Sequence, residues 1–201
     1  MAMRIVHRYT GVDKKKISSV KVNYKDVFSL SYMYKLMREW LIDNGYADRD
    51  EDKFPEVFYL QKENPAFGKE IWARWRLKKE PDPAAKLWRF DLDVDIHVLG
   101  LKEVEVTHQN KRIKADKGEV EVEIAAYIVY DYEKAWEKAT FLKPYAKFIT
   151  DRLQKKKSVE FETKLGEESD RFRDAIKEYL QLPTYIPTKE LGEFWQKKLP
   201  E

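Results

Sequence analysis

Between Trp88 and Val98 every even position is apolar: Trp88, Phe90, Leu92, Val94, Ile96 and Val98. The odd positions between them carry Arg89, Asp91, Asp93, Asp95 and His97. Strict alternation of this length is the period of a β-strand with one apolar and one polar face, because successive side chains point to opposite sides of a sheet. The pattern returns as Val104 and Val106 between Glu103, Glu105 and Thr107. It returns again as Val120, Val122, Ile124, Ala126, Ile128 and Tyr130 around Glu119, Glu121 and Glu123. A chain with three such stretches close together is committed to an antiparallel sheet with one face packed on a core.

The register within that stretch follows from matching apolar to apolar, since a slip of one residue would turn the apolar set to the wrong side. A three-residue loop at Leu99-Gly100-Leu101 would set His97 opposite Glu103, Ile96 opposite Val104 and Val94 opposite Val106. A second tight turn at Asn110-Lys111 would place His108 opposite Ile113 and Val106 opposite Ala115. The apolar parity then changes from odd (Ile113, Ala115) to even (Val120, Val122), which calls for a bulge or turn at Asp116-Lys117-Gly118.

Upstream, Ile17, Val20 and Val22 read as a short strand. Asp26 reads as the N-cap of an amphipathic helix running to Asn44, with Leu30, Met33, Tyr34, Met37, Trp40 and Leu41 on its apolar side and Asn44-Gly45 as its stop. Val57–Gln61 and Glu70–Lys79 read as strands, the second alternating Ile71, Ala73, Trp75 and Leu77 with Trp72, Arg74, Arg76 and Lys78. Past Tyr132 the period becomes helical from about Glu133 to Lys156, with a kink expected at Pro144. Lys155-Lys156-Lys157 would suit that helix's C-terminal end. A further helix is expected over about Glu167–Leu180, and a short last one around Phe194 and Trp195. The expected fold is α+β: a curved, mostly antiparallel sheet of six to seven strands on a long helix, as residues 1–157, with residues 158–201 a helical extension packed on it.

Composition narrows the function classes. The net charge of +3 is the small difference between 39 basic and 36 acidic residues, not the one-sided balance of a dedicated nucleic-acid binder. With no cysteine, disulfides, thiolate nucleophiles and cysteine-ligated metals are excluded. Charged residues make up 37% of the chain against about 25% in typical domains. That lysine- and glutamate-rich balance is one that thermophile proteins favour. No apolar run reaches the ~18 residues of a membrane span, and the N-terminus lacks an apolar leader core, so a cytoplasmic, soluble protein is the expectation.

No motif identifies a reaction. There is no nucleophile elbow, no glycine-rich phosphate loop, and no metal spacing among His7, His97 and His108, so the expectation leans away from an enzyme and calls for no cofactor. His108 reads best as a core histidine. In the register above, Asp95, His97, Glu103 and Glu105 would meet across two strands and make a weak candidate for a divalent cation. An exposed face whose charges keep the sheet soluble explains them better. Trp72, Arg74, Arg76 and Lys78 share one strand face, where an aromatic beside cations would hold RNA or another anion. Pairing of those cations with a neighbouring acidic strand is the preferred account.

The order strand, helix, antiparallel strands, long helix resembles the helix-grip fold of the START and Bet v 1-like superfamily. The matching parts are Ile17–Val22, Asp26–Asn44, the strands from Val57 through Tyr130, and Glu133–Lys156, covering about residues 15 to 157. It rests on order and length rather than a motif, and departs from the family in having one helix after the first strand and in the tail beyond residue 157. A plain α+β sheet with helices on one face explains the same periodicities. The resemblance implies a cavity for a hydrophobic small molecule or lipid, walled by Trp75, Trp88, Phe90, Leu92, Val94, Ile124, Ile128, Trp136, Ala139 and Tyr145. The alternative is an interaction module with a solid core, whose tail (Phe172, Tyr179, Phe194, Trp195) docks on a partner or a second copy.

Overall fold

The computed structural model describes residues 14–50, 54–82, 87–108, 111–130 and 155–181. They form an α+β fold: strands β1 (Lys14–Phe28), β2 (Glu56–Asn64), β3 (Gly68–Lys79), β4 (Trp88–His108) and β5 (Lys111–Tyr130), with helices α1 (Leu30–Asp43) and α2 (Lys155–Gln181). The strands make one antiparallel sheet in the order β1-β5-β4-β3-β2, so the first strand lies beside the last and β2 and β1 are its edges.

Among the described residues five strands stand in place of the expected six to seven, because the chain turns neither at Gly100 nor at Asp116–Gly118. β4 runs on through Gly100, and Leu99 pairs with Glu119 while Lys102 pairs with Lys117, so β4 carries one extra residue there. That is a β-bulge, and Gly100 supplies its positive φ of 63°. His97 therefore faces Glu121, not Glu103, and Asp95 faces Glu123, not Glu105. The hairpin closes beyond His108, which pairs with Lys111, and Val106 meets Ile113 rather than Ala115. No turn occurs at Asp116–Gly118: β5 stays in unbroken register with β1 from Ala126 to Asp116, so the parity change is absorbed by the bulge on the facing strand.

The first strand is longer than Ile17–Val22. Its ladder to β5 holds until Phe28 pairs with Asp116, which claims Asp26 for the strand and moves the helix start to Leu30. Ser29 is the N-cap, its Oγ accepting from the Tyr32 N–H at 3.4 Å, and Asp116 Oδ2 accepts from the Leu30 N–H at 3.0 Å. A carboxylate from a sheet strand thus meets the positive end of α1. At the other end Gly45, with φ 74°, lets its N–H reach Ile42 O and that of Tyr46 reach Leu41 O, a Schellman ending that satisfies the last carbonyls.

α2 begins at Lys155, well before the expected Glu167, because Phe161, Leu165, Phe172, Ile176 and Leu180 form one buried stripe at helical spacing. Lys155-Lys156-Lys157 are thus helical and continuous with that stripe, and Lys157 has Asp82 as a partner at 3.9 Å. The boundary expected at residue 157 falls in the first turn of α2. The expected helix Glu133–Lys156 lies outside the described residues up to position 154, as does the helix around Phe194 and Trp195.

Both helices cover the even-numbered face of β4 and β5. Phe161 of α2 meets Trp88 and Phe90 edge-on at 5.2 and 6.0 Å between ring centroids. Tyr34 of α1 meets Trp75 of β3 at 4.7 Å, and Trp40 lies on Phe172 at 4.7 Å, joining the helices. Met33, Met37, Leu41, Leu165, Phe172 and Ile176 belong to the same apolar cluster as the strand residues. No helix of the described residues is long and apolar enough to cross a membrane.

Candidate functional site

β2 is bonded to β3 on one side, and among the described strands its other side has no neighbour. Its sequence runs Val57-Phe58-Tyr59-Leu60 without alternation, so apolar side chains emerge on both faces. Val57 is 52% exposed, Tyr59 50% and Leu60 38%. At the hairpin tip Phe67 is 75% exposed, beside Leu99 at 40%. This corner is firmly built. A side chain at Gly68, where φ is 91°, would lie 2.7 Å from the Leu101 carbonyl, and Lys102 Nζ donates to Ala66 O at 3.3 Å. The β2–β3 loop is therefore held against the β4 bulge with Phe67 turned outward.

The opposite edge is protected differently. β1 presents Lys15, Lys16, Lys21 and Lys25 with Ser19 and Asn23, all exposed. Lys15, Lys21 and Lys25 pair with Glu162, Glu121 and Glu119 at 2.7, 2.7 and 3.4 Å. Lysine on an edge strand discourages edge-to-edge association. On β2 only Lys62 does this, and its Nζ sits over the Trp72 ring at 5.1 Å.

On the polar face of the sheet, β3 and β4 bring cations onto carboxylates in register: Arg74 opposite Asp95, Arg76 opposite Asp93 and Lys78 opposite Asp91. Arg76 Nη2 lies 2.7 Å from Asp95 Oδ1, and its Nε 3.8 Å from Asp93 Oδ1. Arg89 grips Asp91 with two hydrogen bonds of 2.7 and 3.1 Å, and Lys14 reaches Asp91 at 3.8 Å and Asp93 at 3.7 Å. Burial pushes the Asp93 carboxyl above its ordinary range, since Lys14 and Arg76 beside it do not fully offset the lost water. Trp72 stacks on His97 at 5.0 Å and 14°, and His97 Nε2 lies 3.1 Å from Glu70 Oε1. Of the residues considered for an anion or RNA, Arg74 and Arg76 thus face carboxylates and Trp72 already holds an imidazole on its ring.

The four residues considered for a cation are not brought together. Asp95 and His97 lie on one side of the bulge. Glu103 and Glu105 lie beyond it, opposite Asp116 and Lys114, and six residues of strand separate His97 from Glu103, about 20 Å. The side chain of His108 is outside the described residues.

Of the expected cavity wall, Trp75, Phe90, Leu92, Val94, Ile124 and Ile128 are fully buried in the one core cluster, with Trp88 almost so. Trp75 Nε1 donates to Tyr34 Oη at 3.1 Å and Glu56 Oε2 at 3.0 Å, and Tyr34 is itself bonded to Glu56. Trp88 Nε1 has no acceptor among the described residues. Across the sheet from Trp88, Tyr130 Oη donates to Glu162 Oε1 at 2.9 Å, beside Ser158 Oγ at 2.9 Å. Burial alone would raise the Glu162 carboxyl, but hydrogen bonds from Lys15 and Tyr130 outweigh it and hold the carboxyl below its ordinary value. Trp136, Ala139 and Tyr145 lie outside the described residues.

The exposed set Val57, Tyr59, Leu60 and Phe67 is not singled out by periodicity. Its one signal in the sequence is an apolar run that fails to alternate, bracketed by Pro55 and Pro65. No protein-family model matches the chain, and no curated protein matches it.

Proposed function

We propose that the protein is a non-enzymatic interaction module that takes up an extended strand of a protein partner along the edge of β2 that no described strand pairs. The observation that carries this is the exposure of Val57, Tyr59 and Leu60 on an edge without the lysines that guard β1. Backbone N–H and C=O groups along such an edge supply affinity through hydrogen bonds, and alternate side chains supply specificity. Four consecutive apolar residues at an edge cost solubility unless they are covered in use. A photo-crosslinking amino acid placed in living cells at position 60 or 67 is expected to give discrete protein adducts, while one at position 23 on β1 gives none. Equal adducts at all three positions, or none at 60 and 67, would defeat the reading.

A second reading has a hydrophobic small molecule or lipid held between sheet and helix, as the helix-grip resemblance implies. It draws on Trp88, whose buried N–H has no acceptor among the described residues and could take a ligand oxygen. The strand order, first beside last with both helices on one face, supports it too. Native mass spectrometry tests it: a bound mass of roughly a few hundred daltons, lost on unfolding and on Trp88→Phe, is the expected result. A ligand-free spectrum for the wild type, with no change in ligand uptake on Trp88→Phe, would end it.

A further inference from the structure

We propose that the strand seated on β2 is β2 of a second copy of this chain, paired antiparallel about a two-fold axis through Leu60. This rests on the reading of β2 as an interaction edge and names its occupant. The free ladder is short: Val57 is an extra residue between Glu56, opposite Trp75, and Phe58, opposite Arg74, so regular strand runs from Phe58 to Asn64. Within it a two-fold centred on Leu60 sets Leu60 against Leu60 of the partner subunit, Phe58 against the partner's Lys62, and Tyr59 against the partner's Gln61.

The polar pairs are of kinds that these side chains already make within one chain, a cation on an aromatic ring and a tyrosine hydroxyl on a glutamine. Lys62 lies over an aromatic ring, Phe58 receives the Arg74 guanidinium at 5.4 Å, and Tyr59 Oη bonds Gln61 Oε1 at 3.2 Å. On the polar face Leu60 and Phe58 of both copies then form one apolar row flanked by two lysines, which suits cation–π contact. Parallel pairing would instead lay Lys62 on Lys62 and Glu63 on Glu63, and like charges directly opposite are unfavourable. Antiparallel pairing about Leu60 moves the two Lys62 residues four positions apart, about 13 Å. Centring on Lys62 would restore that clash. An isologous contact of this kind closes on itself and leaves no further edge of the same type.

Because the chain has no cysteine, single-cysteine variants read the register directly. Leu60→Cys is expected to form a covalent dimer on mild oxidation, since residues facing each other across an antiparallel pair lie within disulfide reach. Lys62→Cys and Asn23→Cys are expected to form no covalent dimer under the same oxidation. Light scattering on the wild type should give about twice the 24.1 kDa chain mass. Leu60→Lys, with an unchanged circular dichroism spectrum, should raise the dimer dissociation constant at least about tenfold. A wild-type monomer at about 100 μM, well above common dissociation constants of such contacts, overturns the proposal. So does a dimer in which Leu60→Cys fails to cross-link and Leu60→Lys has no effect. If the wild type is monomeric but position 60 still photo-crosslinks to another protein, self-pairing fails and the interaction edge stands; if position 60 captures nothing, both fail.

Discussion

Glu168→Ala is expected to lower the unfolding free energy by about 3–5 kcal/mol, the cost typical of removing one partner from a buried ion pair. Glu168 is 3% exposed, on the sheet side of α2. Its carboxylate accepts from Lys79 Nζ at 2.9 and 3.0 Å and from Tyr46 Oη at 2.7 Å. Lys79 also lies over the Tyr46 ring at 4.9 Å. One carboxylate on α2 therefore satisfies groups from β3 and from the turn after α1. Burial raises the Tyr46 hydroxyl far above its ordinary ionisation range, and the neighbouring Glu168 charge raises it further, so it stays a donor at any ordinary pH. Alanine at 168 would leave an ammonium and a hydroxyl without an acceptor in a place where water is scarce. Urea unfolding checks the value. The triple replacement Glu168→Leu, Lys79→Met, Tyr46→Phe, which removes all the polar partners together, should recover most of the loss. A loss under about 1 kcal/mol for Glu168→Ala would show that water reaches the cluster and that the pair is a surface one.

Phe172→Ala should cost about 3–5 kcal/mol in the same measurement, while Val159→Ala on the same helix stays within about 0.5 kcal/mol. Phe172 is fully buried against Trp40, whereas Val159 is 54% exposed. A phenylalanine side chain removed from a packed site forfeits its transfer energy and leaves a cavity that its neighbours only partly fill. The contrast decides whether α2 is an appended tail or part of the one core. If Phe172→Ala unfolds the protein in a single cooperative transition at lower urea, α2 and the sheet are one unit. A separate early transition with an unshifted main one would make α2 a dispensable extension.

Much of the sheet is legible in the residues. The alternation from Trp88 to Val98 and from Val120 to Tyr130 marks two strands whose even positions turn inward, and both pack as that parity requires. The pairing of Arg74 and Arg76 with acids of a neighbouring strand is legible too, because a strand of cations and a strand of aspartates are easiest to bury side by side. The end of α1 is written in Asn44-Gly45, where only a residue at ease with positive φ can close the helix.

Other features are not legible, for specific reasons. A glycine with positive φ serves a hairpin turn and a β-bulge equally well, so Gly100 alone does not say whether the chain reverses or continues. The pairing of Val98 with Val120 and of Val94 with Ile124 decides it. Asp26 has the chemistry of an N-cap, yet the β1–β5 ladder extends past it and Ser29 takes the role. Three consecutive lysines suit a helix C-terminus by their charge, but tertiary burial of Phe161 and Leu165 carries α2 back to include them.

The sequence by itself determined the local periods of the central strands and of α1, and which side of each seeks the core. Those follow from the geometry of one backbone and the burial of its own side chains. Only the tertiary structure decided how many strands the alternating stretches make, that β1 is an edge strand on β5 with Lys15, Lys21 and Lys25 paired to glutamates, and that β2 is an edge with no neighbour among the described strands. An edge is a property of what is missing beside a strand, and Val57-Phe58-Tyr59-Leu60 would read the same in the middle of a sheet as at its border.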